Sequence, residues 1–286
     1  MDTDDSLLQN LTITNMTQPE IQTAIQWAQA EGWNPGLHDG ECFYHTDNNG
    51  FYAARLNNKI VGTVSIVKYS DNFAFAGFYI VLPEFRGQGI GFELQKFVSS
   101  KCQNLNLGLD GVVNMQSRYE QAGFKKAYNN IRYSGTIKGE KSEKCVPIKR
   151  TNLDKVTVFD AKFFPASRPS FLECWLFQND STALMVKDEN GNILGYGVIR
   201  KCFKGQKVGP LFAEDAQTAK LLLSSLASTV QDKEVFLDVP EPNFAAVELA
   251  KSYGMQPVFS TVRMYTKTAP LLPLEKIFGV TTFELG

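Results

Sequence analysis

Residues 75–98, FAGFYIVLPEFRGQGIGFELQKFV, hold an apolar segment, a glycine-rich turn and an amphipathic segment in direct succession. The apolar segment, Phe75–Leu82, is rich in aromatic and β-branched residues. This composition predicts a strand that ends at Pro83, because proline has no N–H to donate to a ladder. In the last segment the apolar residues recur at helical spacing, which predicts a helix that begins near Gly89.

The turn between them, Arg86–Gly91, has the composition of an anion-binding site. Its glycines allow the backbone to approach a ligand closely. The helix start adds unpaired N–H donors and the positive end of a dipole. Arg86 is placed to add a positive charge, so we expect the turn to hold a pyrophosphate.

Two common phosphate motifs do not fit this turn. The dinucleotide fingerprint requires GxGxxG and an acidic residue about twenty positions further on. The chain has GxGxG at Gly87–Gly91, and Asp110 lies in a glycine-flanked segment that we interpret as a turn. The phosphate loop of nucleotide triphosphatases requires Gly-Lys-Ser/Thr, which does not follow.

The stretch instead resembles the acetyl-CoA loop of the GNAT superfamily of N-acetyltransferases, whose motif is V-x-P-x-x-R-G-x-G-x-G between a strand and a helix. The matching residues are Val81, Pro83, Arg86, Gly87, Gly89 and Gly91. A second segment, YEQAGF at 119–124, resembles the family's Y-E-x-x-G-F. The resemblance implies an α/β (α+β) fold with a mixed, mainly antiparallel sheet flanked by helices, and acetyl-CoA as cosubstrate.

The order of the other predicted elements in the first half also resembles this family. These elements are strands at Leu11–Met16, Phe51–Leu56, Ile60–Tyr69 and Lys126–Ser134, and helices at Pro19–Ala30 and Asn114–Ala122. Leu105–Val113 is a further strand candidate, made irregular by the glycines on either side of Asp110.

The pattern repeats in the second half of the chain. Gly62 and Gly123 are separated by nearly the same interval as Gly195 and Gly254, and an arginine lies nine residues after the second glycine in each copy. Repetition at fixed spacing indicates duplicated architecture. We therefore predict two tandem GNAT-like domains, at residues 1–138 and 148–286, joined by a polar linker at residues 139–147.

The second copy lacks the features of a cofactor site. Its counterpart of the loop, Gly209–Asp215, places two carboxylates before a predicted helix, and Ala250 replaces Tyr119. Negative charge at the helix start opposes a pyrophosphate. We predict one acetyl-CoA per chain, bound by the first domain.

The resemblance also implies roles for individual residues. The residues expected to bind the cofactor are Ile80, Val81, Arg86, Gly87, Gln88, Gly89, Ile90, Gly91 and Asn114. Tyr119 is expected to protonate the CoA thiolate, unless it is a helix tyrosine with its hydroxyl at the surface. Asn114 either contacts the cofactor or serves only as a helix cap.

The general base and the acceptor site stay open. Many family members carry a glutamate on the strand before the loop, whereas this strand has aromatic residues and glycine. An amine with a pKa near 10 must lose a proton before it attacks. The carboxylates considered for this role are Asp39, Glu41 and Asp110. The candidate substrate contacts are Trp33, in a loop that either covers a cleft or plugs the core edge, Glu41, Phe78 and Asp110.

Composition limits the other possibilities. Of the 286 residues 43% are hydrophobic and 21% charged, and the net charge of −1 gives no general attraction to nucleic acid or an anionic membrane. The acidic N-terminus and five scattered cysteines favour a reduced, cytoplasmic protein, a monomer or weak dimer. His38 and His45, in a polar loop, offer too few ligands for a metal site.

The sequence thus predicts an acetyl-CoA-dependent N-acetyltransferase that transfers the acetyl group directly to a primary amine of a small molecule or a protein. The alternative is a non-catalytic acyl-CoA-binding or regulatory module, which the missing strand carboxylate and the degenerate second half favour.

Overall fold

One mixed sheet of 13 strands runs through both halves of the chain in the computed structural model, which describes residues 8–286. In the first half the elements are β1 (Leu11–Asn15), α1 (Gln18–Ala30), α2 (Asp39–Thr46), β2 (Phe51–Leu56), β3 (Lys59–Lys68), β4 (Phe73–Val81), α3 (Ile90–Lys101), β5 (Asn106–Val112), α4 (Gln116–Gln121) and β6 (Lys125–Thr136).

The second half follows a similar order. Its elements are β7 (Cys145–Pro147), α5 (Leu153–Asp160), α6 (Pro169–Trp175), β8 (Ser181–Lys187), β9 (Ile193–Lys201), β10 (Gln206–Ala213), α7 (Ala216–Ala227), β11 (Glu234–Pro240), α8 (Phe244–Ser252), β12 (Gln256–Tyr265) and β13 (Ile277–Gly279).

The predicted fold class and the predicted elements of the first half are confirmed, with ends that differ by a few residues. Helix α1 begins where its capping box predicts, since the Thr17 N–H donates to the Glu20 carboxylate at 2.8 Å. Two expectations were wrong. The loop expected between Trp33 and Tyr44 contains helix α2, and Asp110 lies within strand β5 rather than in a turn.

The two halves exchange their last strands. The strand order across the centre is β5-β12-β6-β11, so β12 of the second half lies between β5 and β6 of the first. Strand β6 in turn lies between β12 and β11, and all these pairs are antiparallel. The limits of the two domains along the chain stay a prediction, but their sheets are continuous.

Each face of the first half's sheet carries its own apolar core. Helix α3 buries Ile90, Leu94 and Val98 on one face. Helices α1, α2 and α6 cover the other face, together with the C-terminal segment. Phe43 of α2 stacks on Trp175 of α6 with ring centroids 6.0 Å apart. Aromatic packing therefore joins a helix of each half.

A disulfide between Cys42 of α2 and Cys174 of α6 also joins the halves, with the two Cα atoms 5.2 Å apart. The expectation that the cysteines are all reduced was therefore wrong. The spacing along the chain gave no signal for this pair, because the two residues are 132 positions apart.

Among residues 8–286 no helix is both long and apolar enough to cross a membrane. The same residues contain no group of three or more histidine, cysteine or acidic side chains arranged to hold a metal ion.

Candidate active site

Strands β4 and β5 separate part of the way along the sheet. Their parallel pairing begins at Phe73 with Asn106 and ends at Ala76 with Leu109. Beyond that point β4 contains a bulge, where its register with β3 shifts and Phe78 has a φ of +48°. The main chain of β4 after Ala76 is therefore outside the β5 ladder. An extended ligand arm in this gap can pair with it as an added strand would.

The glycine-rich turn lies at the open end of this gap. Gly87 and Gly89 have φ values of +79° and +84°, in the left-handed region that favours glycine. Gly89 is the N-cap of α3, so the free N–H groups of the first helical turn begin there. Gln88 stabilises the turn, because its amide donates to the Glu84 carbonyl at 2.8 Å. This geometry matches the anion site expected from the sequence.

Arg86 is held beside the turn by two contacts. Its Nε donates to the carbonyl of Val81 at 2.8 Å, and its Nη2 donates to Glu31 at 2.5 Å. Its side chain is 49% exposed. A guanidinium has five N–H donors, so these contacts leave others for a phosphate.

Two tyrosines lie together beside the start of α3. Tyr79 of β4 donates from its hydroxyl to the Gly91 carbonyl. Burial, with a smaller contribution from the nearby Tyr119 phenol, raises the pKa of Tyr79 to about 12. Tyr119 of α4 packs closely on β5, where a methyl group on Gly111 would collide with its ring.

Both phenols are protonated at neutral pH. Burial raises the pKa of Tyr119 above its usual value, and its contact with the Val112 backbone only partly opposes the shift. Tyr119 is thus half-buried rather than at the surface and fits a proton donor beside the cofactor loop. Tyr79 was assigned no role from the sequence, in which it is one of several aromatic residues on the strand before the loop. The sequence signal that could have identified Tyr79 as a site residue is its position on the strand that leads into the turn.

The remaining cofactor candidates differ in position. Ile80 is buried toward α1 and α2, and Val81 is half-buried toward α3. The side chain of Ile90 is in the core, so only its backbone belongs to the turn. Asn114 is exposed in a 3₁₀ turn, and the cap of α4 is Met115, so the alternative that Asn114 serves only as a helix cap was wrong. Contact of Asn114 with a cofactor stays a prediction.

The four candidate acceptor contacts are not gathered at one place. Phe78 is 1% exposed and packs against Phe43, with centroids 5.8 Å apart. Trp33 is half-buried at the edge of the same core, and its carbonyl accepts from Arg132 at 2.6 Å. Glu41 lies on the exposed face of α2.

Two of the carboxylates considered as general bases are in buried ion pairs. Both oxygens of Asp110 accept from Arg263, at 2.7 and 2.6 Å, and burial raises the pKa of Asp110 although Arg263 opposes the shift. Both oxygens of Asp39 accept from Arg200, at 2.7 and 3.1 Å. Neither carboxylate is free to take a proton from a substrate without breaking its pair.

The second half fills the equivalent gap with its own chain. Strands β10 and β11 are parallel over residues 206–208 of β10. Strand β13 then pairs with β10 at Leu211–Gly279, and the Val280 N–H donates to the backbone carbonyl of Asp238 of β11 at 2.8 Å. The start of α7 is capped by Asp215, whose carboxylate accepts from the Thr218 N–H at 2.8 Å.

The first half thus has a gap between β4 and β5 that ends at the glycine-rich turn, and in the second half the equivalent gap is closed by β13. The comparisons agree. Residues 18–124 match the acetyltransferase (GNAT) family, and residues 156–279 match the acetyltransferase (GNAT) domain. The chain belongs to the GNAT acyltransferases, as a member with two such domains in tandem.

One similar protein is a holothin acyltransferase of Pseudoalteromonas sp. (strain SANK 73390). It is 33% identical over 270 residues, which cover 93% of this chain and 92% of that protein.

Two solved structures share the fold. A Pyrococcus horikoshii protein assigned as an acetyltransferase is 23% identical, with a TM-score of 0.82 over 97% of this chain and 96% of that one. A tandem GNAT protein from the clavulanic acid biosynthesis pathway is 12% identical, with a TM-score of 0.61 over 91% of this chain and 100% of that one.

Proposed function

We propose that the protein transfers an acetyl group from acetyl-CoA to a primary amine, directly, in a ternary complex with both substrates. The observation that carries the proposal is the gap between β4 and β5, which ends at the turn with left-handed Gly87 and Gly89. A pyrophosphate on the N–H groups of this turn would direct the pantetheine arm along β4, toward the bulge at Phe78.

The chemistry assigned to this gap has two parts. The main chain of β4 near the bulge offers N–H donors to the oxyanion that forms when the amine attacks the thioester. The Tyr119 phenol donates a proton to the departing sulfur, which avoids release of a free thiolate into a partly dry site.

The acceptor is the least defined part of the proposal. The similar Pseudoalteromonas protein is named for acyl transfer to holothin. Holothin is therefore the first compound to test, followed by small primary alkylamines, arylamines and peptides with a free lysine.

Release of the CoA thiol over this panel tests the function. We expect turnover with at least one primary amine, an acetylated product of the matching mass, and loss of turnover in Gly89→Glu. That substitution puts a carboxylate at the N-cap of α3. Tight acetyl-CoA binding without acetylation of any amine would instead support the non-catalytic module.

A further inference from the structure

The C-terminal segment, residues 280–286, crosses from the second half to β4. It leaves β11 at Val280, and the Leu285 carbonyl accepts from the Tyr69 hydroxyl at 3.0 Å. Between these points the Glu284 carbonyl packs against Gly77 of β4. A methyl group on Gly77 would collide with it. The absence of a side chain at residue 77 therefore allows the segment to lie directly on β4.

The carboxylate of Glu284 is enclosed and only half satisfied. The residue is 1% exposed, and its Oε2 accepts from the Thr282 hydroxyl. Its Oε1 has no hydrogen-bond partner within residues 8–286. Buried acceptors are rarely left without a partner, because burial removes their bonds to water. The free oxygen is therefore available to a group that the chain itself does not supply.

Cations face this carboxylate from three strands. They are Arg132 of β6, Arg200 of β9 and Lys207 of β10. The two guanidinium groups are already paired, with Asp238 and Asp39.

Lys207 forms no direct ion pair with any carboxylate in the part of the chain that the structure describes. Its ammonium donates to the Asn34 carbonyl at 2.7 Å. Burial lowers the pKa of Lys207, and Arg132 lowers it further. The Cys202 thiol is another neighbour of Lys207, and burial raises the pKa of this thiol.

Glu284 lies at the head of the cofactor gap. Gly77, which its backbone touches, is the first residue of β4 beyond the last pair with β5 and comes directly before the bulge at Phe78. The buried hydroxyl of Ser65 faces the same point, 3.1 Å from the position of a methyl group on Gly77. Among the described residues, 8–286, the Ser65 hydroxyl also has no hydrogen-bond partner. The unpartnered Ser65 hydroxyl and the backbone of Glu284 thus lie at the point of β4 where the thioester is expected.

We propose that Glu284 is the catalytic base that accepts a proton from the acceptor amine, an inference that rests on the proposed function. The ammonium gives one proton to Oε1, and the neutral nitrogen forms a bond to the thioester carbon. The carbon–sulfur bond breaks, and sulfur takes the Tyr119 proton. The phenol regains a proton from the nitrogen through water, and Glu284 releases its proton to solvent.

Glu284→Gln tests this role, because it keeps the shape of the side chain and removes the base. With acetyl-CoA and the best alkylamine of the panel, we expect kcat/KM at pH 7 to fall by about 10²- to 10⁴-fold. Affinity for CoA should stay unchanged. The matched control is Glu275→Gln, at an exposed carboxylate in the turn just before β13, which should retain wild-type activity.

The pH profile separates catalysis from structure. Without a base, the variant depends on amine that is already neutral, and this fraction rises about tenfold per pH unit below the amine pKa. The ratio of wild-type to variant activity should therefore shrink between pH 7 and 9. Glu284→Asp, which keeps a base at a greater distance, should lose activity without that change in the profile.

Three results would overturn the inference. Equal activity of wild type and Glu284→Gln would refute it and leave the proposed function intact. A ratio of wild-type to Glu284→Gln activity that stays constant with pH, in variant protein that folds, would mean that Glu284 is only structural. Failure of the wild-type protein to acetylate any amine would remove both the proposed function and this inference.

Discussion

Arg263 and Asp110 lie directly opposite each other on β12 and β5 and form a buried ion pair with two hydrogen bonds, although β12 comes from the second half of the chain. The pair has a counterpart. Arg132 of β6 donates to Asp238 of β11 at 2.6 and 2.8 Å, and these residues are also opposite each other. Each exchanged strand thus carries an arginine that binds an aspartate of the other half.

This arrangement predicts that the halves unfold together. Asp238→Asn leaves the buried Arg132 without its counter-charge, and loss of one partner of a buried pair costs about 3–5 kcal/mol. We expect a decrease of this size in the free energy of unfolding, in one cooperative urea transition. Glu84→Gln is the control. Its pair with Lys59 is exposed, at 3.7 Å, so we expect a change of at most about 0.5 kcal/mol. Two separate transitions would contradict the prediction.

The same pair predicts a pH dependence. Burial acts to raise the pKa of Asp238, but the charge and hydrogen bonds of Arg132 outweigh it, so the pKa lies below its usual value. A carboxylate whose pKa is lower in the folded state stabilises the protein at pH values above its unfolded-state pKa of about 3.9. This stabilisation is lost as the pH falls through the folded-state pKa. The difference in unfolding free energy between wild type and Asp238→Asn should therefore shrink below about pH 4. A difference that grows there would show the opposite shift.

A single cofactor site per chain is the third prediction. Strand β13 occupies the gap between β10 and β11, so calorimetric titration with acetyl-CoA should give a stoichiometry near one. Gly89→Glu should abolish the binding heat. Ala216→Glu, which adds a carboxylate at the first residue of α7 in the second half, should leave it unchanged. Residual tight binding in Gly89→Glu would place a site elsewhere in the chain.

The two tyrosines predict different kinetic effects. Tyr119→Phe removes the proton donor and should lower kcat by about 10²-fold while CoA affinity stays nearly constant. Tyr79→Phe removes the hydrogen bond to the Gly91 carbonyl, and we expect it to weaken CoA binding more than it lowers kcat. Wild-type kcat in Tyr119→Phe would assign the proton donor to another group, and Tyr79→Phe would then be the next variant to examine.

Local sequence predicted the elements that local interactions determine. The turn at Arg86–Gly91 and the cap of α1 depend on residues that are neighbours along the chain, so their patterns were readable. The duplication was readable because glycines and an arginine recur at matching spacing. The two arginines of that repeat, Arg132 and Arg263, are the ones on the exchanged strands.

Contacts between distant segments were not predictable in the same way. The strand exchange depends on which edge each last strand pairs with, and both edges present similar apolar patterns. Asp110 was considered as a base because sequence cannot show that Arg263 binds both of its oxygens. Glu284 was not predicted as a site residue for the same reason. It comes from the second half, and sequence cannot show that its segment lies on β4 of the first.

The segment of chain that follows β12 is part of both copies of the fold. One continuous segment first inserts as β13 into the cleft of the second copy and then lays Glu284 against β4 of the first. Opening a second cofactor site would require removal of β13 from the gap beside β10. Because the chain is continuous, this change would also displace Glu284 from Gly77. Closure of the gap in the second copy and placement of Glu284 on β4 of the first are therefore physically coupled, because one continuous segment does both.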